Sequence, residues 1–550
     1  MKEKKNIGLI LLPLVLAVGV VGGIIIGSRV GSDRLTPAEQ KLRSVLALIN
    51  GEYVDNVNLD SLLESVYPQL ISSLDPHSVY IPSSELTAVN EDLDGKFSGV
   101  GVSYQIMNDS VVVIEVISGG PAEKVGILPG DRIIKADGKN LTGEEASTDN
   151  VIKYLRGEKG SKVVLEIKRT NSSRSQKYDV IRGDIPVNSV DASYMIGEDI
   201  GYVKVGKFAR TTYDEFYEAI NRLKEEGARN YIVDLRGNAG GYMDQAIYMA
   251  NEFLPKGRMI VYTVGRNPQN MTQAISDGNG DFQDARVTVL TDEFSASASE
   301  IFAGAMQDND RGVVIGRRSF GKGLVQNQTT LSDSSAIRLT VARYYTPSGR
   351  SIQKEFTRGK NGKYELDISD RYQHGEFYNV DSVRLDKSKL FHTSLGREVF
   401  GGGGIMPDVF VPQDTTGITS YYINVSNAGM IQRYAYIVAD KYRQVLKGVK
   451  TPAQVLNTIP RDNTLLEGFV NFAVSNGVPA RWYYINQSRD LILQQLKAVI
   501  VRDILGYQNF IKVLNSDDPV INRSLEILRS GDDKKILSVP TKSKTVNKKK

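Results

Sequence analysis

Three short segments carry residues whose types and spacing could do chemistry. The first is Ser295-Ala296-Ser297-Ala298-Ser299-Glu300-Ile301-Phe302. It follows an apolar run at residues 287–290 and opens a helical pattern. A serine at a strand-to-helix junction has its hydroxyl at the positive end of the helix, where backbone N–H groups can hold an oxyanion. The same letters spell an S-x-x-E capping box, an ordinary way to begin a helix. The second segment is Ser319-Phe320-Gly321-Lys322-Gly323, after a β-branched run at 313–315. A lysine between glycines sits on backbone that can approach other chain closely. If its ammonium is buried, its pKa falls and it can serve as a general base. If it stays in solvent, it is a plain turn lysine. The third segment is Asp234-Leu235-Arg236-Gly237-Asn238-Ala239-Gly240-Gly241, a strand running into a loop with three glycines. Such a loop can offer N–H groups to an anion. Its glycine spacing fits neither a Walker loop nor a dinucleotide fingerprint.

Composition narrows the chemistry further. The 550 residues are enough for about three or four domains. Apolar residues make up 41% and charged residues 24%, a globular balance. Net charge is +4 from 68 basic and 64 acidic side chains, which gives no reason to expect nucleic acid as a partner. The absence of cysteine removes disulfides, thiolate metal sites and cysteine nucleophiles. With three histidines, His77, His374 and His392, a histidine-rich metal site is not expected. Neither a metal nor a cofactor is implied.

The elements that must position these segments follow from periodicity. Lys2, Lys4 and Lys5 precede an uncharged run over residues 7–27, about long enough to cross a bilayer. The lysines should stay in the cytoplasm, so the body would be exported. A cleaved signal peptide is the rival reading, but Ser28-Arg29-Val30 is a poor cleavage site. Residues 36–95 read as mostly helical. Thr36, Pro37 and Glu39 form a helix start, and Leu42, Val45, Leu46 and Ile49 share one face. Residues 74–78 read as a proline turn containing His77, to which a structural role is assigned. Residues 96–183 contain β-branched runs at 111–116 and 163–167, with a short proline-entered helix between them. From 184 to 412, strands at 201–205, 231–235, 287–290, 313–315 and 337–341 alternate with helices such as 213–226. That alternation predicts a layered α/β core with parallel pairing. From 413 onward the pattern is mainly helical, at 434–446 and 488–505 in particular. The lysine-rich residues 542–550 read as a disordered tail.

Read as a set, the segments identify a family resemblance. Residues 295–302, then Phe320-Gly321-Lys322-Gly323 with Gln326, resemble the C-terminal processing (tail-specific) proteases, a serine-lysine family. The likeness extends to Asp234-Leu235-Arg236-Gly237-Asn238, to Leu74-Asp75-Pro76-His77-Ser78 and to Gly402-Gly403-Gly404-Ile405-Met406-Pro407-Asp408, in family order over about residues 36–412.

The resemblance implies a nucleophile at Ser297, a general base at Lys322 and an orienting residue at Gln326. The oxyanion hole would be formed by the N–H of Ala298 and that of Gly240 or Gly241. Ser295 and Ser299 would be structural. Asp308 sits where some members have an acid assigned to catalysis. Eleven residues of straight helix would put it ~16 Å from Ser297, so a helix-face salt bridge or cap is expected instead.

Residues 96–183 resemble the PDZ domain inserted in this family. Gly99-Val100-Gly101-Val102 matches its carboxylate-binding loop, and Val102 and Ile152 would line the pocket for the last side chain of a bound tail. The expected fold is a layered, ClpP/crotonase-like α/β core with an inserted PDZ domain. The expected divisions are stub, anchor and link at 1–34, a helical region at 35–95, PDZ at 96–183, the protease core at 184–412, a helical extension at 413–540 and a basic tail at 541–550. Expected partners are proteins with nonpolar C-terminal tails, the membrane through the N-terminal helix, and further copies of the chain. The implied location is the inner membrane, with the body on the periplasmic or extracytoplasmic side. Two other readings are a catalytically silent tail-binding scaffold and a glycine-loop phosphate-binding enzyme.

Overall fold

The computed structural model describes residues 35–107, 109–117, 119–169, 174–359 and 362–538. The expected anchor at 7–27 and the basic tail at 541–550 lie outside the described residues. Among the described residues, no helix is long and apolar enough to cross a membrane.

The helix Pro37–Glu52 begins as its sequence dictates. Thr36 accepts the Glu39 N–H at 3.3 Å, and the Glu39 carboxylate accepts the Thr36 N–H at 2.5 Å. The apolar face read from its periodicity is not buried, since no residue of this helix is. A second helix follows at Leu59–Ser72.

Residues 96–186 form a β-rich module. Its main sheet runs in the order Val102–Met107, Ser110–Val116, Arg132–Ala136, Lys162–Lys168, Gln176–Ile181, all antiparallel. Alternation does the sorting here. Val111 and Val113 point into the module's own core with Ile133, Val151, Val163 and Leu165. Val112 points the other way and packs on Tyr436 of the C-terminal helices. The proline-entered helix is a single turn, Pro121–Lys124.

The central sheet has six strands in the order Val190–Met195, Ile200–Val205, Asn230–Asp234, Arg286–Thr291, Val313–Gly316, Val409–Phe410. The first pair is antiparallel and the rest are parallel. Its inner strands are buried on both sides, as Asn230–Asp234 is at every position, which fits parallel strands covered on two faces. On one face, Phe216, Ile220, Leu223, Met249, Phe253, Ile301 and Phe302 come from the helices Thr212–Glu225, Met243–Asn251 and Ala298–Asp308 and from the turn that follows Met243–Asn251. The other face is closed by helices between residues 507 and 530. Ile511, Val520, Ile521, Ile527 and Leu528 pack on Tyr202, Ile232, Leu290 and Ile315.

One expectation needs revision. The strand read at 337–341 is Ala336–Tyr345, and it belongs to a separate antiparallel sheet with Val79–Ile81, Met259–Gly265, Gln273–Ile275 and Leu324–Thr330. Its partner Val79–Ile81 falls in the region read as mostly helical. Three residues are too few to display a period, and pairing with Arg338, Ile337 and Ala336 makes the strand. Residues 421–505 hold a second hydrophobic centre, built from Val425, Ala439, Leu465, Phe469, Ile492 and Leu496. The helices there run Met430–Tyr442 and Arg489–Leu505, close to the spans read from periodicity.

Candidate active site

Ser297 stands where the strand Arg286–Thr291 has turned into the helix Ala298–Asp308. Its backbone is at φ +56°, ψ −114°, outside the regions a residue with a Cβ ordinarily takes. Such a conformation costs on the order of 1–3 kcal/mol and persists only where its surroundings enforce it. Those surroundings are the glycine loop. The Ala296 N–H donates to the Asn238 carbonyl at 3.0 Å. The Ser295 hydroxyl donates to the Leu235 carbonyl and the Ser299 hydroxyl to the Asn238 carbonyl, each at 2.9 Å. The two flanking serines therefore stitch the helix start to residues 235–238.

Glu300 joins the Ser297 segment to the Lys322 segment. Its carboxylate is fully buried and meets four donors. One oxygen accepts the N–H of Ser297 and the N–H of Lys322, both at 2.9 Å. The other accepts the Gly321 N–H at 2.7 Å and the Ser319 hydroxyl at 2.5 Å. Burial pushes its pKa up to about 7, against the pull of those donors. Tyr344 makes a second bridge: its buried hydroxyl donates to the Lys322 carbonyl at 2.6 Å and lies 3.1 Å from the Ser297 carbonyl. Ser297 and Lys322 are thus held by both their N–H and their C=O groups. The S-x-x-E spacing announced Glu300 only as a helix cap. The further signal was an acid heading an otherwise uncharged Ile301-to-Met306 stretch. No sequence signal pointed to Tyr344.

The Lys322 ammonium donates to Gln326 Oε1 at 3.2 Å. Burial lowers its pKa, the Arg338 charge adds to the fall, and Glu300 and Asp75 oppose it. In this structure no hydrogen bond joins the ammonium to the Ser297 hydroxyl. Gln326 in turn donates its side-chain N–H to the His77 carbonyl. His77 therefore lies at the site. Its turn is built on Asp75, whose carboxylate accepts the N–H groups of His77 and Ser78 at 2.8 Å and the Ser78 hydroxyl at 2.6 Å.

The glycine loop meets Ser297 directly. At Gly240 (φ +98°) an added Cβ would fall 2.6 Å from Ser297 Cβ and 2.7 Å from the Ala296 carbonyl. The Gly240 N–H is already donated to Asn238 Oδ1 at 2.8 Å, and Asn238 is oriented by its own bond to the Val205 carbonyl at 2.9 Å. Among the described residues, the N–H groups of Ala298 and Gly241 have no acceptor. Asp234 and Arg236 brace the loop from below. Arg236 binds Asp234 at 2.7 Å and reaches Asp518 at 2.7 Å. The guanidinium holds the Asp234 carboxyl well below the carboxylate range despite its burial.

Asp308 is buried at the far end of the helix, paired with the equally buried Arg350 at 2.7 Å. It is an ion pair, as expected, but an interior one. In the β-rich module, Gly99 ends the strand Lys96–Gly99 and Val102 begins the next. Gly101 turns the chain between them at φ +81°. The Val100 side chain faces the module's core. Ile152 is exposed on the helix Thr148–Leu155.

Residues 199–360 match Peptidase family S41, residues 112–169 match the PDZ domain family, and residues 421–506 match a family of unknown function, DUF8443. The chain is 33% identical over 388 residues to a probable CtpA-like serine protease of Staphylococcus haemolyticus, covering 68% of this chain and 75% of that one. It is 37% identical over 310 residues to a carboxy-terminal-processing protease of Bartonella bacilliformis, covering 56% of this chain and 70% of that one. The photosystem II D1 C-terminal processing protease superposes with a TM-score of 0.32 at 28% identity, over 58% of this chain and 91% of that one. The chain is a serine peptidase. It belongs to the carboxy-terminal-processing proteases of peptidase family S41, with a PDZ domain and a helical C-terminal region.

Proposed function

We propose that the chain is an endopeptidase that cleaves exported proteins presented by nonpolar C-terminal tails, with Ser297 as nucleophile and Lys322 as general base. The observation that carries this reading is the single Glu300 oxygen that accepts the N–H of both residues. It keeps two loops in register whose side chains would otherwise be independent. The strained backbone of Ser297 supports the same role.

The steps follow from the groups present. Neutral Lys322 takes the Ser297 proton, and the alkoxide attacks the peptide carbonyl. The N–H groups of Ala298 and Gly241 receive the oxyanion, since the Gly240 N–H is already committed to Asn238. The Lys322 ammonium returns its proton to the departing amine, leaving an acyl-enzyme. Lys322 then deprotonates a water, which attacks the ester and frees Ser297. As a neutral amine, Lys322 can keep one N–H on Gln326 while its lone pair turns to the serine hydroxyl. Hydrogen bonds of this kind are often long or absent before substrate binds.

The fold class proposed is a layered, ClpP/crotonase-like core with the divisions given above. The tail is taken up beside the loop Gly99-Val100-Gly101-Val102, with its last side chain near Val102 and Ile152. The PDZ match and the exposure of Ile152 support this. Residues 7–27 anchor the chain in the inner membrane with its body outside the cytoplasm, and amphipathic helices beyond 413 offer surfaces for self-association.

The test is cleavage of a reporter protein bearing a nonpolar tail by wild type and by Ser297→Ala. Cleavage by wild type alone, lost when the tail is made acidic, is expected. A folded wild type that cleaves none of several tails, yet binds them, would favour a scaffold instead.

A further inference from the structure

We propose that Tyr364 is a positioning residue for the general base. Its hydroxyl holds the His77 ring, the His77 carbonyl orients Gln326, and Gln326 holds the Lys322 ammonium. The proposal rests on the serine-lysine reading. It adds to that reading a part of the chain, the segment between Gln353 and Gly401, that the reading leaves idle.

The links are short and directional. The Tyr364 hydroxyl lies 2.6 Å from His77 Nε2. The Gln326 amide nitrogen donates to the His77 carbonyl, and Gln326 Oε1 accepts from Lys322 at 3.2 Å. A carbonyl can only accept and an ammonium can only donate, so the two neighbours fix which end of the Gln326 amide faces which. If the His77 carbonyl shifts, the amide turns and the ammonium loses its acceptor. Asp75 pins the backbone of the His77 turn, whereas Tyr364 is the hydrogen-bond partner of its ring.

Tyr364 is itself held rigidly. It is buried, and its ring stands edge-on to His77, Phe320 and Phe356, with centroids 5.2, 6.0 and 6.4 Å away. The Lys354 ammonium lies 4.2 Å over the Tyr364 ring and 3.8 Å over the Phe320 ring, and pairs with Asp367 at 3.1 Å. Phe320 precedes Lys322 by two residues, and its N–H donates to the Ser295 carbonyl at 2.9 Å. The Lys354 N–H donates to the Gly321 carbonyl at 3.0 Å. One stack of aromatic rings and a cation therefore backs the loops of both nucleophile and base.

The charges around the chain set its protonation. His77 faces Lys322, Lys354 and Asp75, and burial with the two ammoniums brings its pKa down to about 4. Burial raises the Tyr364 phenol, with Glu300, Asp367 and Asp75 adding to it. At neutral pH the imidazole is uncharged and the phenol keeps its proton, so the phenol can donate to the ring. Around Lys322 itself, Arg338 opposes Glu300 and Asp75.

The experiment is a double-mutant cycle on the full chain, with a tailed peptide as substrate. Tyr364→Phe removes one hydroxyl and keeps the ring contacts. It is expected to lower kcat about tenfold with KM unchanged. In a Gln326→Ala background the same change should cost nothing further, because the link it acts through is already cut. His77→Ala gives a second cycle with the same expectation, and Tm is read for every variant. Wild-type kcat in Tyr364→Phe, or equal additive losses in both backgrounds, would overturn the proposal. Activity that survives Ser297→Ala in the same assay would sink the serine-lysine reading instead, so the two failures are distinguishable.

Discussion

Burial shifts Glu300 and Lys322 in opposite directions, yet both are needed in their deprotonated forms. Burial raises the carboxyl to about 7 and lowers the ammonium. Three of the four groups bonded to Glu300 are backbone N–H groups that can only donate, so its ionised form suits them best. As the proposed base, Lys322 can act only when neutral. Both groups must lose a proton, so kcat/KM should rise with pH on a steep acid limb whose apparent pKa values belong to the pair. A profile flat from acid to alkaline pH would end this account. Lys322→Arg should be inactive at every pH, because a guanidinium stays protonated. Glu300→Gln places an N–H among donors, and a loss of at least ~100-fold in kcat is expected, of the size seen when a preorganised polar contact is removed. Near-normal kcat in that variant would mean the shared oxygen is only a helix cap.

At the scale of elements, the site is a junction of three loops that follow parallel strands. The loops after Asn230–Asp234, Arg286–Thr291 and Val313–Gly316 all leave one edge of the sheet. This is where open α/β sheets ordinarily gather their functional groups. The close approach of the first loop to the second depends on Gly240. Gly240→Ala would put a methyl against Ser297 Cβ at a backbone angle that disfavours any side chain. The expected result is near-complete loss of labelling by an active-site-directed serine reagent and a stability loss of about 1–3 kcal/mol, read from chemical denaturation. Wild-type labelling would show that the loop does not shape the nucleophile.

At the scale of the whole molecule, the last described helices are structural. Helices beyond residue 507 close the second face of the central sheet, and Asp518 ties them to Arg236 below the glycine loop. The helices at 421–505 have their own centre and also lean on the PDZ sheet through Tyr436 against Val112 and Ile114. Tyr436→Ala should cost about 2–4 kcal/mol. It should also speed amide exchange in the strand Ser110–Val116 while leaving Arg286–Thr291 protected. Unchanged exchange in Ser110–Val116 would mean that the contact does not hold the PDZ sheet.

What the sequence determined by itself was local and periodic. The β-branched run along 111–116, the apolar runs of the parallel strands and the Thr36 cap needed only neighbours a few residues away, and they appear where those patterns place them. The segments around Ser297 and Lys322 were legible for a similar reason, as short strings of unusual residues. Three things were decided only by tertiary structure. The strand Val79–Ile81 exists because Ala336–Tyr345 offers it an edge. The Gly240 N–H is spent on Asn238. His77, Tyr344 and Tyr364 reach the site from segments far apart in the chain. A hydrogen bond across tens or hundreds of residues leaves no period or spacing to read. It depends on where packing sets two backbones, and packing is a property of the assembled core.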